Sequence, residues 1–124
     1  MNEYKPFSVK KRSKSFRFAF EGMCCFFKQE HNAILHLLAT VAVIVLSIIF
    51  PVSRFEIIIL AIVTGLVWAA EFFNTAIEKM ADLISKEDHP EIKFIKNVAA
   101  AAVLVMAAVA LLAGYLIFIP KICI

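Results

Sequence analysis

Glu71, Asn74, Glu78 and Asp82 follow one another at spacings of three, four and four in a chain of 124 residues. At about 100° per residue, these four fall within roughly an 80° arc of one helix face. Carboxylates and an amide in one stripe can ligate a hard cation through oxygen or take a proton as a general base. Phe72, Phe73, Ile77, Met80 and Leu83 lie on the other faces of the same helix. For Glu78 and Asp82 alone, a solvated face on a protruding helix is the plainer explanation. Glu71 differs because of the apolar run that precedes it.

The chain is 62% hydrophobic and 19% charged, with a mean hydropathy of +0.86. Soluble domains are nearer half apolar and a quarter charged, so an ordinary soluble enzyme is disfavoured. The apolar residues form uncharged blocks at 32–52, 57–70 and 97–120. A spanning helix needs about 20 apolar residues, so the first and third blocks suffice. The second block is short but runs on without Gly or Pro through 71–84, which predicts one long helix emerging from the bilayer. A soluble buried bundle is the alternative, and a third block apolar on every face disfavours it. The fold expected is all-α and integral to a membrane. It is a single domain over 1–124, with a surface helix at about 11–30 and helices at 32–52, 55–84 and 91–119.

The surface helix is amphipathic. Phe16, Phe20, Met23 and Phe27 recur at helical spacing among Lys10, Lys11, Arg12, Lys14, Arg17 and Lys28, a combination suited to an anionic leaflet. Arg17, Glu21 and Lys28 interrupt its apolar residues, so it does not read as a signal peptide. Together with Lys5, seven basic residues precede the first span. Arg54 stands alone in the first loop, four lysines lie at 79–96, and Lys121 is alone at the far end. The positive-inside rule therefore places the N-terminus and the 79–96 region in the cytoplasm. The leaflet accounts for the basic patch, and nucleic acid is not expected as a partner.

Depth makes Glu71 informative. From Phe55 the helix climbs about 24 Å to Glu71 at about 1.5 Å per residue, which puts the carboxylate near the inner boundary of a core about 30 Å thick. Ionisable groups at such depths are costly and commonly functional. The hydroxyl of a membrane lipid would lie at the same level. Glu30 precedes the first span and Lys96 the third, so all three helices bring a polar group to one interface. Glu30 and Glu78 offer oxygen ligands for Mg²⁺, and Lys96 offers a charge for phosphate. Spacing alone indicates a metal or proton site and no particular reaction. With only Gly22, Gly65 and Gly114, and no GxxxxGK[ST] run, a P-loop is excluded. Cys24, Cys25 and Cys123 make neither a disulfide framework nor a CxxC site. Glu87, Asp88 and His89 read as a solvated loop, not a zinc site.

The run Glu71-Phe72-Phe73-Asn74-Thr75-Ala76-Ile77-Glu78, followed by Asp82, His89, Lys96 and an alanine-rich helix, resembles the signature of small bacterial membrane lipid kinases. These form the prokaryotic diacylglycerol kinase and undecaprenol kinase family. The resemblance extends to Gly22 and Glu30 and covers nearly the whole chain. It implies a homotrimer of three-span subunits with active sites between subunits. The implied reaction is Mg²⁺-dependent transfer of the ATP γ-phosphoryl group to a lipid alcohol, either diacylglycerol or undecaprenol, in the bacterial cell membrane. By matching position it implies Glu71 as general base and Glu30 and Glu78 as metal ligands. Asn74, Asp82, Lys96 and Asn97 fall among nucleotide or phosphate contacts, joined by Lys11 or Arg12 through a weaker motif.

Two departures stand out. The family's Lys-Asp pair is Lys96-Asn97 here. Asparagine keeps hydrogen bonding but loses the charge, which leaves room for a weakly active paralogue or a non-catalytic adaptor. Glu30-His31-Asn32 with His36 resembles the undecaprenol-kinase branch. His36 is, like Glu71, a lipid-substrate candidate, or else a packed residue bonded to backbone. A proton or cation pathway is the weakest reading, because the third span is uncharged.

Overall fold

A computed structural model describes residues 6–123; Lys5 lies outside them. The described residues form four α-helices: α1 (Val9–Gln29), α2 (Asn32–Ile49), α3 (Arg54–Ile84) and α4 (Pro90–Ile122). No strand occurs among them. α2, α3 and α4 are each long and apolar enough to cross a membrane, as the three apolar blocks predict. The helices begin one or two residues earlier than the expected bounds for α1, α3 and α4, and α2 stops three residues earlier. Caps set the starts of α1, α3 and α4.

Two compact units divide the chain, residues 1–34 and 35–124. In the first, Ser8 caps α1 by accepting from the Lys11 amide, which satisfies one of the donors left free at a helix start. Phe16, Phe18 and Phe20 are exposed. Glu30 closes α1, its backbone N–H donating to the Phe26 carbonyl at 2.9 Å.

In the second unit, Phe50 and Pro51 end α2. A capping box then starts α3: the Ser53 hydroxyl accepts from the Glu56 amide, and the Glu56 carboxylate accepts from the Ser53 amide. At about 1.5 Å per residue, the 31 residues of α3 reach about 46 Å, well beyond a hydrocarbon core of about 30 Å. His89 caps α4 through Nδ1, which accepts from the Glu91 amide, and Pro90 takes the first helical position, where a missing N–H costs nothing. Pro120 lies inside α4, not beyond its end. It sits in the last turn, so it forfeits one backbone bond near a terminus that is already short of partners.

α3 packs on α4. Their far ends meet in a core of Leu60, Ile117 and Phe118, covered by Val43, Leu46, Phe50 and Val52. The Lys121 ammonium donates to Glu56 there at 2.8 Å. Large apolar side chains such as Leu104, Leu111 and Leu116 remain exposed along α4. Such surface is unfavourable in water and natural in lipid or against further helices.

Candidate active site

Glu71 is the buried charged residue of the described chain, at 5% exposure. α3 carries it directly after the apolar run, so the residues that bury the helix also bury this carboxylate. Its Oε1 lies 2.6 Å from Nε2 of His36 on α2. A carboxylate only accepts, so in the ionised state the imidazole supplies the hydrogen. The two side chains are 15% and 7% exposed, so little water competes for the bond.

α2 is fastened to α3 beside this pair. Trp68 donates its indole N–H to the Thr40 hydroxyl at 2.9 Å, and that hydroxyl donates to the His36 carbonyl at 2.8 Å. The His36 ring stands edge-on to Trp68 at 6.0 Å, and Trp68 lies tilted against Phe72 at 6.0 Å. His36, Thr40, Thr64 and Trp68 supply the polar lining of a cleft of about 380 Å³ whose other sides include Val43, Val67 and Leu111.

Below Glu71, Asn74 and Thr75 each bury a side-chain oxygen, Oδ1 and Oγ1, that has no hydrogen-bond partner among the described residues. A buried polar atom left unpaired costs about 1–3 kcal/mol, so two in adjacent positions mark a place where a polar ligand would be welcome. Both lie on the Glu71 face of α3. Glu78 is half-buried one turn further on.

Asp82 and Lys96 lie beyond the apolar parts of α3 and α4. Lys96 donates to Asp82 at 2.5 Å. The hydrogen bond from Lys96 holds the Asp82 carboxyl below the ordinary aspartate value, with Lys79 and Lys86 adding to the effect. The same bond raises the Lys96 ammonium above its own ordinary value. Asn97 is exposed and lines a cleft of about 620 Å³ together with Lys96, Lys93, His89 and Ser85.

Glu71, Asn74, Glu78 and Asp82 thus descend one α3 face, with His36 on α2 and Lys96 on α4 bonded to its two ends. The remaining sequence-derived candidates belong to the first unit. Lys11 and Arg12 are exposed on α1, with the Arg12 guanidinium 5.3 Å above the Phe7 ring, and Glu30 is half-buried at the α1 end. No cluster of three or more metal-ligating side chains occurs among the described residues. All three cysteines are free and exposed.

Sequence reasoning missed three features. His36 bonds the Glu71 side chain, not backbone. Thr40 and Trp68 carried no motif. His89 caps a helix, and the Asx-like position directly before Pro90 was the available signal.

The profile of the family described as prokaryotic diacylglycerol kinase matches residues 17–118. An undecaprenol kinase of Bacillus subtilis is 37% identical over 108 residues, 87% of this chain and 88% of that protein. A diacylglycerol kinase of Synechocystis is 33% identical over 107 residues, 86% of this chain and 61% of that protein. The chain belongs to the prokaryotic diacylglycerol kinase family and is by class a lipid kinase.

Proposed function

We propose that this chain transfers the γ-phosphoryl group of ATP to the hydroxyl of a membrane lipid alcohol, diacylglycerol or undecaprenol, giving phosphatidic acid or undecaprenyl phosphate. The observation that carries this reading is Glu71, a buried carboxylate placed where an apolar helix run ends. In this reading it is the general base, taking the hydroxyl proton as the lipid oxygen attacks the γ-phosphorus. General-base groups of this kind contribute about 10²–10⁴-fold.

Glu30 and Glu78 are the residues that would hold Mg²⁺. Within the second unit Glu78 suits that role, because Mg²⁺ binds through one or two carboxylates plus water and phosphate oxygens, and the unpaired Asn74 oxygen lies one turn from it. The cation would neutralise charge developing on the phosphate oxygens. Asn74, Asp82, Lys96, Asn97, Lys11 and Arg12 are assigned to the nucleotide. Phosphoryl transfer depends mainly on such positioning and charge, which a P-loop-free chain can supply.

The domain is single, spanning 1–124, and sits in a bacterial cell membrane. Its basic N-terminal segment and its 79–96 region face the cytoplasm, where ATP is found. The working form is a homotrimer with sites between subunits. The exposed apolar faces of α2–α4 support this, since so short a chain encloses little by itself.

The test is purified protein in lipid with Mg-ATP, given diacylglycerol and undecaprenol in parallel. Phosphorylation of one or both supports the proposal, and the ratio identifies the substrate. Folded protein that phosphorylates neither lipid overturns it. Asn97 favours one second reading, a weakly active or non-catalytic paralogue. An adaptor of that kind gains no stability from Mg-ATP, whereas a protein that binds nucleotide does.

A further inference from the structure

A carboxylate has two chemically equivalent oxygens, and a base must present one of them to its substrate in a fixed direction. At Glu71 the two are not equivalent. Oε1 is engaged by Nε2 of His36 at 2.6 Å, and both side chains are largely withdrawn from water. We infer that His36 is the positioning residue of this active site: it occupies Oε1 of Glu71 and thereby leaves Oε2 as the oxygen that receives the substrate proton. This rests on the reading of Glu71 as general base, and it gives His36 a role different from touching the lipid.

The bond persists through the step. With Glu71 ionised, Nε2–H donates to a carboxylate oxygen. As the lipid O–H breaks and Oε2–H forms, Oε1 becomes the carbonyl oxygen of a neutral acid and still accepts. The lipid oxygen meanwhile bonds to the γ-phosphorus, and the bond from that phosphorus to the β,γ-bridging oxygen breaks, its electron pair leaving on ADP. No hydrogen bond to Oε1 need be rebuilt, the economy expected of a preorganised site.

His36 is itself held from two helices. Its carbonyl accepts from Thr40, Thr40 accepts from Trp68 on α3, and the imidazole stands edge-on to that same indole. Trp68 precedes Glu71 by one turn. The turn of α3 that carries the base therefore also fixes the ring that orients it.

The experiment compares His36→Leu, His36→Gln and His36→Asn in folded, lipid-reconstituted protein, measuring kcat and lipid KM. Leu keeps the packing volume and removes the donor. Gln places an amide N–H near the Nε2 position, and Asn holds it one methylene short. The expected result is a loss of kcat of about 100-fold for Leu, the scale of a misplaced reacting group, with lipid KM within about threefold. Gln should recover to within about tenfold of the unaltered protein, with Asn below Gln. A rise in KM at unchanged kcat would assign His36 to the lipid and overturn the inference. Gln no better than Leu would overturn it too. Should His36→Leu not fold, the Gln-over-Asn order carries the same test, and equal activity of the two overturns the inference. Glu71→Gln, run alongside, separates the two proposals. Full activity in that variant removes the base itself, whereas an inactive Glu71→Gln with no Gln rescue at 36 removes only the positioning role.

Discussion

Trp68 donates its indole N–H to Thr40 across 28 positions of sequence, at 2.9 Å. The bond joins the middle of α3 to α2 within one turn of Glu71. Thr40 passes it on to the His36 carbonyl, so one hydroxyl serves both helices. Thr40→Val should cost about 0.5–1.5 kcal/mol of resistance to denaturant, the net worth of a typical intramolecular hydrogen bond, and Trp68→Phe should cost at least as much. Both should also lower kcat by loosening the base. Unchanged stability and turnover in Thr40→Val would deny the bond any part in holding the site.

Glu71→Gln keeps the shape of the side chain and removes its basicity. Turnover should fall by about 10²-fold or more, while helix content and oligomeric state, read by circular dichroism and sedimentation, stay as they are. A variant that retained full turnover would dismiss the general-base role.

Asp82 and Lys96 are exposed enough for their pairing to be modest in strength, and their directions of shift fix when it operates. The depressed Asp82 carboxyl contributes above the ordinary aspartate value, and the contribution is lost as pH falls through the lower folded value. The raised Lys96 ammonium contributes below the ordinary lysine value and loses this as pH rises through the higher folded one. The pair is thus intact across neutral pH. Asp82→Asn should flatten the acid limb of a stability-against-pH curve and leave the neutral region nearly level. For activity, Lys96→Met should raise the KM for ATP more than it changes the KM for lipid.

Asn97 is exposed and lines the same cleft as Lys96. Asn97→Asp restores a carboxylate beside the lysine. The expected outcome is higher kcat/KM for ATP at limiting Mg²⁺, by about threefold to tenfold if the new charge contributes about 1 kcal/mol in the bound complex. Identical Mg²⁺ titrations for both proteins would show that position 97 does not face the nucleotide.

What the sequence disclosed follows from period and punctuation. Blocks at 32–52, 57–70 and 97–120 gave three helices, and the three-four-four spacing gave the α3 face that descends from Glu71 to Asp82. Both are local, and a helix repeats locally. The partners of those residues were not legible. His36 reaches Glu71 over 35 positions, and Lys121 reaches Glu56 over 65; no period spans such distances, and an isolated histidine or lysine carries no mark of its partner. Pro120 lies inside α4 for a physical reason: proline disturbs a helix by removing an N–H, and in the last turn that forfeits a single backbone bond.

The α3–α4 hairpin is closed by opposite charges at both ends, Glu56 with Lys121 and Asp82 with Lys96. Between Glu56 and Asp82 lies one uninterrupted helix, so the two locks can engage together only if the intervening stretch has its present number of residues. Adding or deleting one residue there turns everything beyond it by about 100° and separates one lock while the other holds. Side chains along this stretch can change in size while both locks stay engaged, whereas a change in its length cannot leave both in place: the hairpin works as a gauge block, and the quantity it measures is the interval from Glu56 to Asp82, within which Glu71 lies.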